Sequence, residues 1–161
     1  MNEEKTAQAI RNYNTLCSAL DDHNWEYEKD DENFAVFCKV QGDDLPMNIT
    51  LIVEAERQLF ILLSHLNFPI PLDKRLDFAV AVSLINYNLI DGSFDFDIKE
   101  GNLYFKMTSS YIDSDIDKEV FYQMLYTSIA VIDEYNDKFL MLSKNYISLA
   151  TFIKNETEGD N

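Results

Sequence analysis

The sequence predicts an α+β domain, an antiparallel sheet with flanking helices in the order α-βββ-α-ββ-α. Three observations carry that prediction. The stretch Leu84 to Met107, LINYNLIDGSFDFDIKEGNLYFKM, reads as a helix end, a glycine stop at Gly92, a strand, a tight Gly101-Asn102 turn and a second strand. A run of strands with alternating apolar residues precedes it. One long amphipathic helix follows it.

The elements follow in order. Residues 3 to 20 place Ala7, Ile10, Tyr13, Cys17 and Leu20 on one face of a first helix. Asp21-Asp22-His23-Asn24 breaks it, and Trp25 and Tyr27 alternate with acidic residues as a short first strand. Lys29 to Asn33 is a polar turn. Phe34, Val36, Cys38 and Val40 then alternate with Ala35, Phe37 and Lys39 in a half-buried strand. Gly42-Asp43-Asp44 turns the chain into a strand from Met47 to Glu54, and Ala55-Glu56-Arg57-Gln58 links it to another from Leu59 to His65. A continuous helix over 50–66 competes, because Leu, Glu, Ala and Arg are good helix formers. The β-branched Ile49, Thr50, Ile52 and Val53 favour strands.

Pro69 and Pro71 punctuate the chain before a helix from Asp73 to Ile90. Its apolar face is wide, comprising Leu76, Ala79, Val80, Val82, Leu84, Ile85 and Tyr87, and Asn86 and Asn88 are placed to cap carbonyls or fix the following hairpin. In that hairpin Phe94, Phe96 and Ile98 lie against Leu103, Phe105 and Met107. The last helix is expected to open at Ser114, with Asp117 completing a capping box. Val120, Met124, Val131, Tyr135, Phe139 and Leu142 carry its stripe, and Tyr146 to Ile153 reads as a continuation or a short packed tail. Residues 1–155 form one domain, and 156–161 are expected to be a disordered tail.

A chain of 161 residues, 47% of them hydrophobic, is long enough to bury roughly two thirds of its unfolded surface. The net charge of −16 excludes nucleic acid, whose binding runs on cationic side chains, and disfavours an anionic membrane surface. It favours solubility and basic partners. The N-terminal MNEEKTAQAIRN lacks the basic and apolar regions of a signal peptide, and no apolar run is long enough to span a bilayer. Cys17 and Cys38 both fall among apolar positions, as buried small hydrophobes. The expected setting is a reducing cytoplasm.

Strand parity singles out a surface. The core-facing sets are Phe34/Val36/Cys38/Val40, Met47/Ile49/Leu51/Val53, Leu59/Ile61/Leu63, Phe94/Phe96/Ile98 and Leu103/Phe105/Met107. The opposite face of a one-sided antiparallel sheet should be polar, as Lys39, Asn48, Thr50, Asp95, Asp97 and Lys106 are. The same parity also contains Phe37, Ile52, Phe60, Leu62 and Tyr104. If these cluster, they form an apolar patch for a protein or peptide client or a homodimer partner, unless a helix or the C-terminal tail covers them.

Residues for chemistry are scarce. His23 and His65 lie in different elements without the paired ligands that zinc needs. Asp113, Asp115, Asp117 and Glu119 mimic the start of a calcium loop, but Lys118 stands where its glycine belongs and Met124 where its glutamate belongs. Asp21, Asp22, Glu26, Glu28, Asp30, Asp31 and Glu32 read as a solvated edge or a dock for a basic peptide. Phosphate-binding glycine loops and nucleophile elbows are missing from the sequence. The sequence therefore predicts no catalytic residue, no metal and no cofactor.

The run Asn86-Tyr87-Asn88-Leu89, then Gly92-Ser93-Phe94-Asp95-Phe96-Asp97, then Gly101-Asn102-Leu103-Tyr104-Phe105, resembles the bacterial YbjN-like family. Trp25-Glu26-Tyr27 and the late helix with Tyr122 and Tyr135 are compatible with it, so the resemblance spans Thr6 to Leu142. It implies a fold like that of type III secretion chaperones, which are small, acidic, often dimeric and hold an unfolded client segment on apolar surface. It further implies a regulator of sensory transduction or stress responses with no established enzymatic activity. The expected function is a non-enzymatic protein-binding module for a basic client, and a homodimer. The alternatives are a purely structural homodimer and a small-ligand-binding sensor domain.

Overall fold

In the computed structural model, residues 3–158 are described and fold as α1 (Glu3–Asp22), β1 (Tyr27–Asp30), β2 (Ala35–Gln41), β3 (Pro46–Glu54), β4 (Leu59–His65), α2 (Arg75–Asn88), β5 (Ser93–Asp97), β6 (Asn102–Ser110), α3 (Lys118–Ser143) and α4 (Leu149–Glu158). The short first strand expected at Trp25 and Tyr27 forms as β1, at Tyr27–Asp30, so the first run is four strands rather than three, and α4 is a separate helix after α3. The six strands form one antiparallel sheet in the order β1-β2-β3-β4-β6-β5. A single-turn 3-10 helix, Leu72–Lys74, leads into α2.

One face of the sheet carries the core. Val36 and Cys38 of β2, Met47, Ile49, Leu51 and Val53 of β3, and Leu103, Phe105 and Met107 of β6 are buried against residues of the helices. On β4 the buried residues are Phe60, Leu62 and Ser64, which reverses the expected parity. Phe60 and Leu62 therefore belong to the core, and Leu59, Ile61 and Leu63 face the other way. The cause is loop length. Glu54 pairs with Leu59 across a four-residue loop, so Val53 pairs with Phe60, and directly opposed residues share a face. Every residue from Leu59 to Leu63 is apolar, so composition alone leaves the strand's parity open.

The loop itself is fastened by Glu54, whose carboxylate accepts the backbone N–H groups of Glu56 and Arg57 at 3.0 Å each and the Arg57 guanidinium at 2.8 Å. Burial pulls the Glu54 carboxyl upward, but these donors hold it below its ordinary value. Its contribution is thus present above the ordinary glutamate range and is lost as pH falls through the depressed value.

The helices bury different stripes from those that periodicity suggests. In α1 the buried residues are Ala9, Asn12, Tyr13, Leu16, Cys17, Ala19 and Leu20, while Ala7 and Ile10 are exposed. Asn12 displaces the stripe because its carboxamide is structural. Its Oδ1 accepts from the Ile116 N–H at 2.6 Å, and Gln8 donates to the carbonyls of Tyr111 and Ser114. These bonds order the β6–α3 connection. The helix then starts at Lys118 with Asp117 at its N-cap position, and no capping box forms from Ser114.

In α2, Phe78, Ala81, Val82 and Ile85 face the core, while Leu76, Val80 and Tyr87 face outward. Asn86 does fix the hairpin, accepting from the Phe94 N–H at 2.8 Å and donating to the Phe94 carbonyl at 2.9 Å. The helix α4 runs through Glu158, past the break expected at 155, and packs by Phe152. The expected tail otherwise falls on residues 159–161, outside the described residues.

The β5–β6 turn is Ile98–Gly101, flanked by the paired Asp97 and Asn102. Arg75 at the start of α2 clamps it, donating to the carbonyls of Ile98 at 3.1 Å, Glu100 at 3.1 Å and also Lys99. Gly101 has φ 80°, and a Cβ there would lie 2.6 Å from the Ile70 carbonyl and 2.9 Å from the Arg75 guanidinium. Gly101→Ala is expected to cost about 2 kcal/mol, from left-handed strain and loss of the clamp, read as a lower urea midpoint.

Candidate functional site: the open face of the sheet

The helices occupy one side of the sheet: α1 contacts β3, α2 contacts β5, and α3 contacts β4 and β6. On the opposite side no side chain larger than Ala35 is buried. Polar residues occupy much of that face, and an apolar stripe crosses its middle. Ile52 opposes Ile61, Leu59 sits beside Glu54, and Leu63 opposes Thr50, which in turn opposes Phe37. Phe37 is 43% exposed, and Ile52, Leu59, Ile61 and Leu63 are half-buried by their neighbours within the sheet.

Three of the five predicted residues therefore share this face: Phe37, Ile52 and Tyr104. Tyr104 stands at the far end of the stripe, its ring 5.1 Å from that of His65. Phe60 and Leu62 do not belong to it. Leu59, Ile61 and Leu63 take their place, and the even length of the β3–β4 loop was the signal that could have found them.

The flanks of the stripe are charged. At the β1 edge, Glu26 and Glu28 join Phe37, Lys39 and Thr50 around a shallow hollow of about 530 Å³. At the β5 edge, Asp95 and Lys106 form an ion pair. Four of the five other acids of the segment 21–32, Asp21, Asp22, Asp30 and Asp31, have structural tasks. Asp21 accepts from the Tyr27 hydroxyl at 2.7 Å, Asp31 from the Tyr13 hydroxyl at 2.8 Å, and Asp22 pairs with Lys118. Hydrogen bonds from the Asn33 side chain and backbone hold the Asp30 carboxyl below its ordinary value.

A second apolar surface lies on the outer side of α2. Leu76, Val80 and Tyr87 fall at helical spacing along one line, Leu76 75% and Tyr87 87% exposed, and Leu72 in the preceding 3-10 turn and Ile90 beyond the helix are exposed as well. Periodicity could not find it, because α2 is apolar on both sides.

Groups that could do chemistry are dispersed. Among the described residues no three His, Cys, Asp or Glu side chains stand close enough to hold a metal. His23 is exposed with its ring against Tyr122, and His65 is exposed at the sheet's end. Both cysteines are free and buried; burial pushes the Cys38 thiol up to about 11 and raises that of Cys17. Thiols so placed are poor nucleophiles at neutral pH. No helix among the described residues is long and apolar enough to cross a membrane.

A family profile described as "Putative bacterial sensory transduction regulator", YbjN, matches residues 12–141. The chain belongs to the YbjN family. Its structure is similar to the crystal structure of YbjN from E. coli, "a putative transcription regulator", at 16% identity and TM-score 0.60, with 78% of this chain and 92% of that one covered. It is also similar to a chain of the ExsC–ExsE complex at 14% identity and TM-score 0.52, covering 80% and 93%. The HopA1–SchA chaperone–effector complex matches at 14% identity and TM-score 0.49, covering 75% and 88%. No curated protein matches the chain in sequence. The family and the α+β, type III secretion chaperone-like fold are those that the sequence led us to expect. In this YbjN-family chain the helices cover one side of the sheet and leave the other to solvent.

Proposed function

We propose that this member of the YbjN family is a non-enzymatic, cytoplasmic protein-binding module, regulatory or chaperone-like, that holds a basic client segment on the open face of its sheet. The observation that carries the reading is the apolar stripe Phe37–Ile52–Ile61–Leu63, left uncovered by every helix and flanked by Glu26 and Glu28. Apolar side chains supply contact area of roughly 25 cal/mol per Å², and the carboxylates steer a cationic partner. The similar ExsC–ExsE structure is itself a complex of two proteins, which supports the reading.

The double variant Phe37→Asp/Ile61→Asp tests it, because both residues lie outside the core. The variant is expected to keep its thermal midpoint within a few degrees. It should lose the proteins that wild type retains on an affinity column from host cytosol, and raised salt should weaken the wild-type capture. Capture unchanged by the double substitution would refute the open face as the client site.

We further propose that the molecule is a homodimer joined through the outer line of α2. Leu76 and Tyr87 are large, apolar and almost fully exposed in the monomer, an arrangement that favours self-association. Leu76→Asp is expected to leave the fold intact and halve the mass measured by light scattering. A wild-type monomer at high concentration would exclude the dimer.

A further inference from the structure

A further cavity opens at one end of the sheet, where the start of β3 and the end of β4 meet α3, with His65 of the open face at its edge. Its volume is about 130 Å³, and Met47, Leu66, Phe68, Ile132 and Leu140 line it together with Asn136. Asn136 is 2% exposed, and neither its Oδ1 nor its Nδ2 has a hydrogen-bond partner. Buried amides are ordinarily paired, since a desolvated donor and acceptor left unmade are costly. The chain follows that rule elsewhere. Asn12 and Asn86 each use both side-chain atoms on named partners. Among the described residues the Ser64 hydroxyl is the other buried side-chain group without a partner, but Asn136 is the amide left unpaired at both atoms, and it lines a cavity.

We propose that this cavity binds a small neutral ligand carrying an amide group on an apolar body. The size follows from volume, since a cavity of ~150 Å³ accommodates benzene, and a ligand of about six to eight heavy atoms is implied here. The neutrality follows from the lining, which holds no Asp, Glu, Lys or Arg and whose one ionisable side chain is the exposed His65, in a protein of net charge −16 that repels anions. The amide follows from Asn136 itself. Along one edge a carboxamide offers one N–H donor and one carbonyl acceptor, and its complement is a second amide presenting N–H and C=O on the same side, as in a lactam or a primary amide. Asn67 at the rim cannot serve instead. It donates to the Pro46 carbonyl at 2.7 Å and accepts from Asn48 at 2.8 Å, bonds that fix the cavity's mouth.

Three probes test the proposal on the full chain: δ-valerolactam, isovaleramide and N-methyl-δ-valerolactam, which lacks the donor. Titrations followed by ¹H–¹⁵N correlation spectra report on the Asn136 side-chain NH₂ and on the backbone amides of Leu66 and Phe68. At least one of the first two probes should shift these signals saturably in the millimolar range, and the N-methyl lactam should bind at least tenfold more weakly. Asn136→Leu removes the unpaired groups at similar volume, so it should keep or raise the thermal midpoint and lose at least tenfold in probe affinity. No saturable shift with either amide would overturn the proposal. So would equal binding of the N-methyl lactam, or full binding by Asn136→Leu, either of which would mean that the cavity takes apolar bodies without reading the amide. Should Asn136→Leu fail to fold, the lactam pair on the wild-type chain decides alone.

Discussion

Phe60→Ala should cost about 3–5 kcal/mol and shift the urea midpoint accordingly, with the slope of the transition unchanged. Phe60 is fully buried, and its ring meets that of Phe121 edge-on at 4.7 Å. Truncation leaves a hole between β4 and α3 that a close-packed core fills only in part. Phe60→Asp goes further, burying a carboxylate with no cationic partner, and is expected to leave the chain unfolded. The neighbouring Ile61→Asp should cost only about 1 kcal/mol and leave the fold intact, because Ile61 stands half-buried on the open face. Opposite outcomes at adjacent positions make a sharp test of register. A tolerant Phe60 and an intolerant Ile61 would mean that β4 faces the other way, and the composition of the open face would change with it.

That same strand shows how far the sequence can be read. Element type was legible wherever one periodicity dominated, as in β2 and β3, but the glycine stop was misplaced: α2 ends at Asn88 with Leu89 extended, and Gly92, with its φ of 75°, turns the chain three residues later into β5. The family resemblance was legible in the β5–β6 hairpin and its flanks. Facing was not legible in β4 or α2, because each is apolar on both sides, and only pairing or packing decides which side is buried. Polar residues inside the core misled in the other direction. Asn12 shifted the stripe of α1 through its bond to Ile116, and no hydrophobic pattern marks such a residue. The candidate site inherits both effects. Phe37, Ile52 and Tyr104 were found because polar residues two positions away, Lys39, Thr50 and Lys106, fix the facing of their strands, whereas Leu59, Ile61 and Leu63 depended on counting the residues of a loop.

The packing of the C-terminal helices supplies the other large effect. Phe139 of α3 is fully buried and has four aromatic neighbours, Phe78 at 5.7 Å, Phe94 at 5.1 Å, Tyr135 at 6.4 Å and Phe152 at 5.8 Å. It thereby joins α2, β5 and α4 at a single side chain. Phe139→Ala is expected to cost about 3–5 kcal/mol from lost packing, and aromatic pairs of this kind add about 0.5–1.5 kcal/mol each beyond area burial. Phe152→Ala differs in kind. Phe152 is the buried residue of α4, which is otherwise tied by the half-buried Leu149 and by the Lys138–Glu156 pair at 3.2 Å. Burial lowers the Lys138 ammonium, but the carboxylates of Glu134 and Glu156 outweigh it and hold the group above its ordinary value. That tie is fully present at neutral pH and is lost only as pH rises through the raised value. Losing Phe152 should therefore release α4 while the sheet and its other helices stay folded, and hydrogen exchange would show fast amides in 149–158 alone. In Phe139→Ala the exchange should quicken in α2 and β5 as well. A uniform response to both substitutions would mean that α4 is part of the global folding unit, and that the core extends to the end of the described chain.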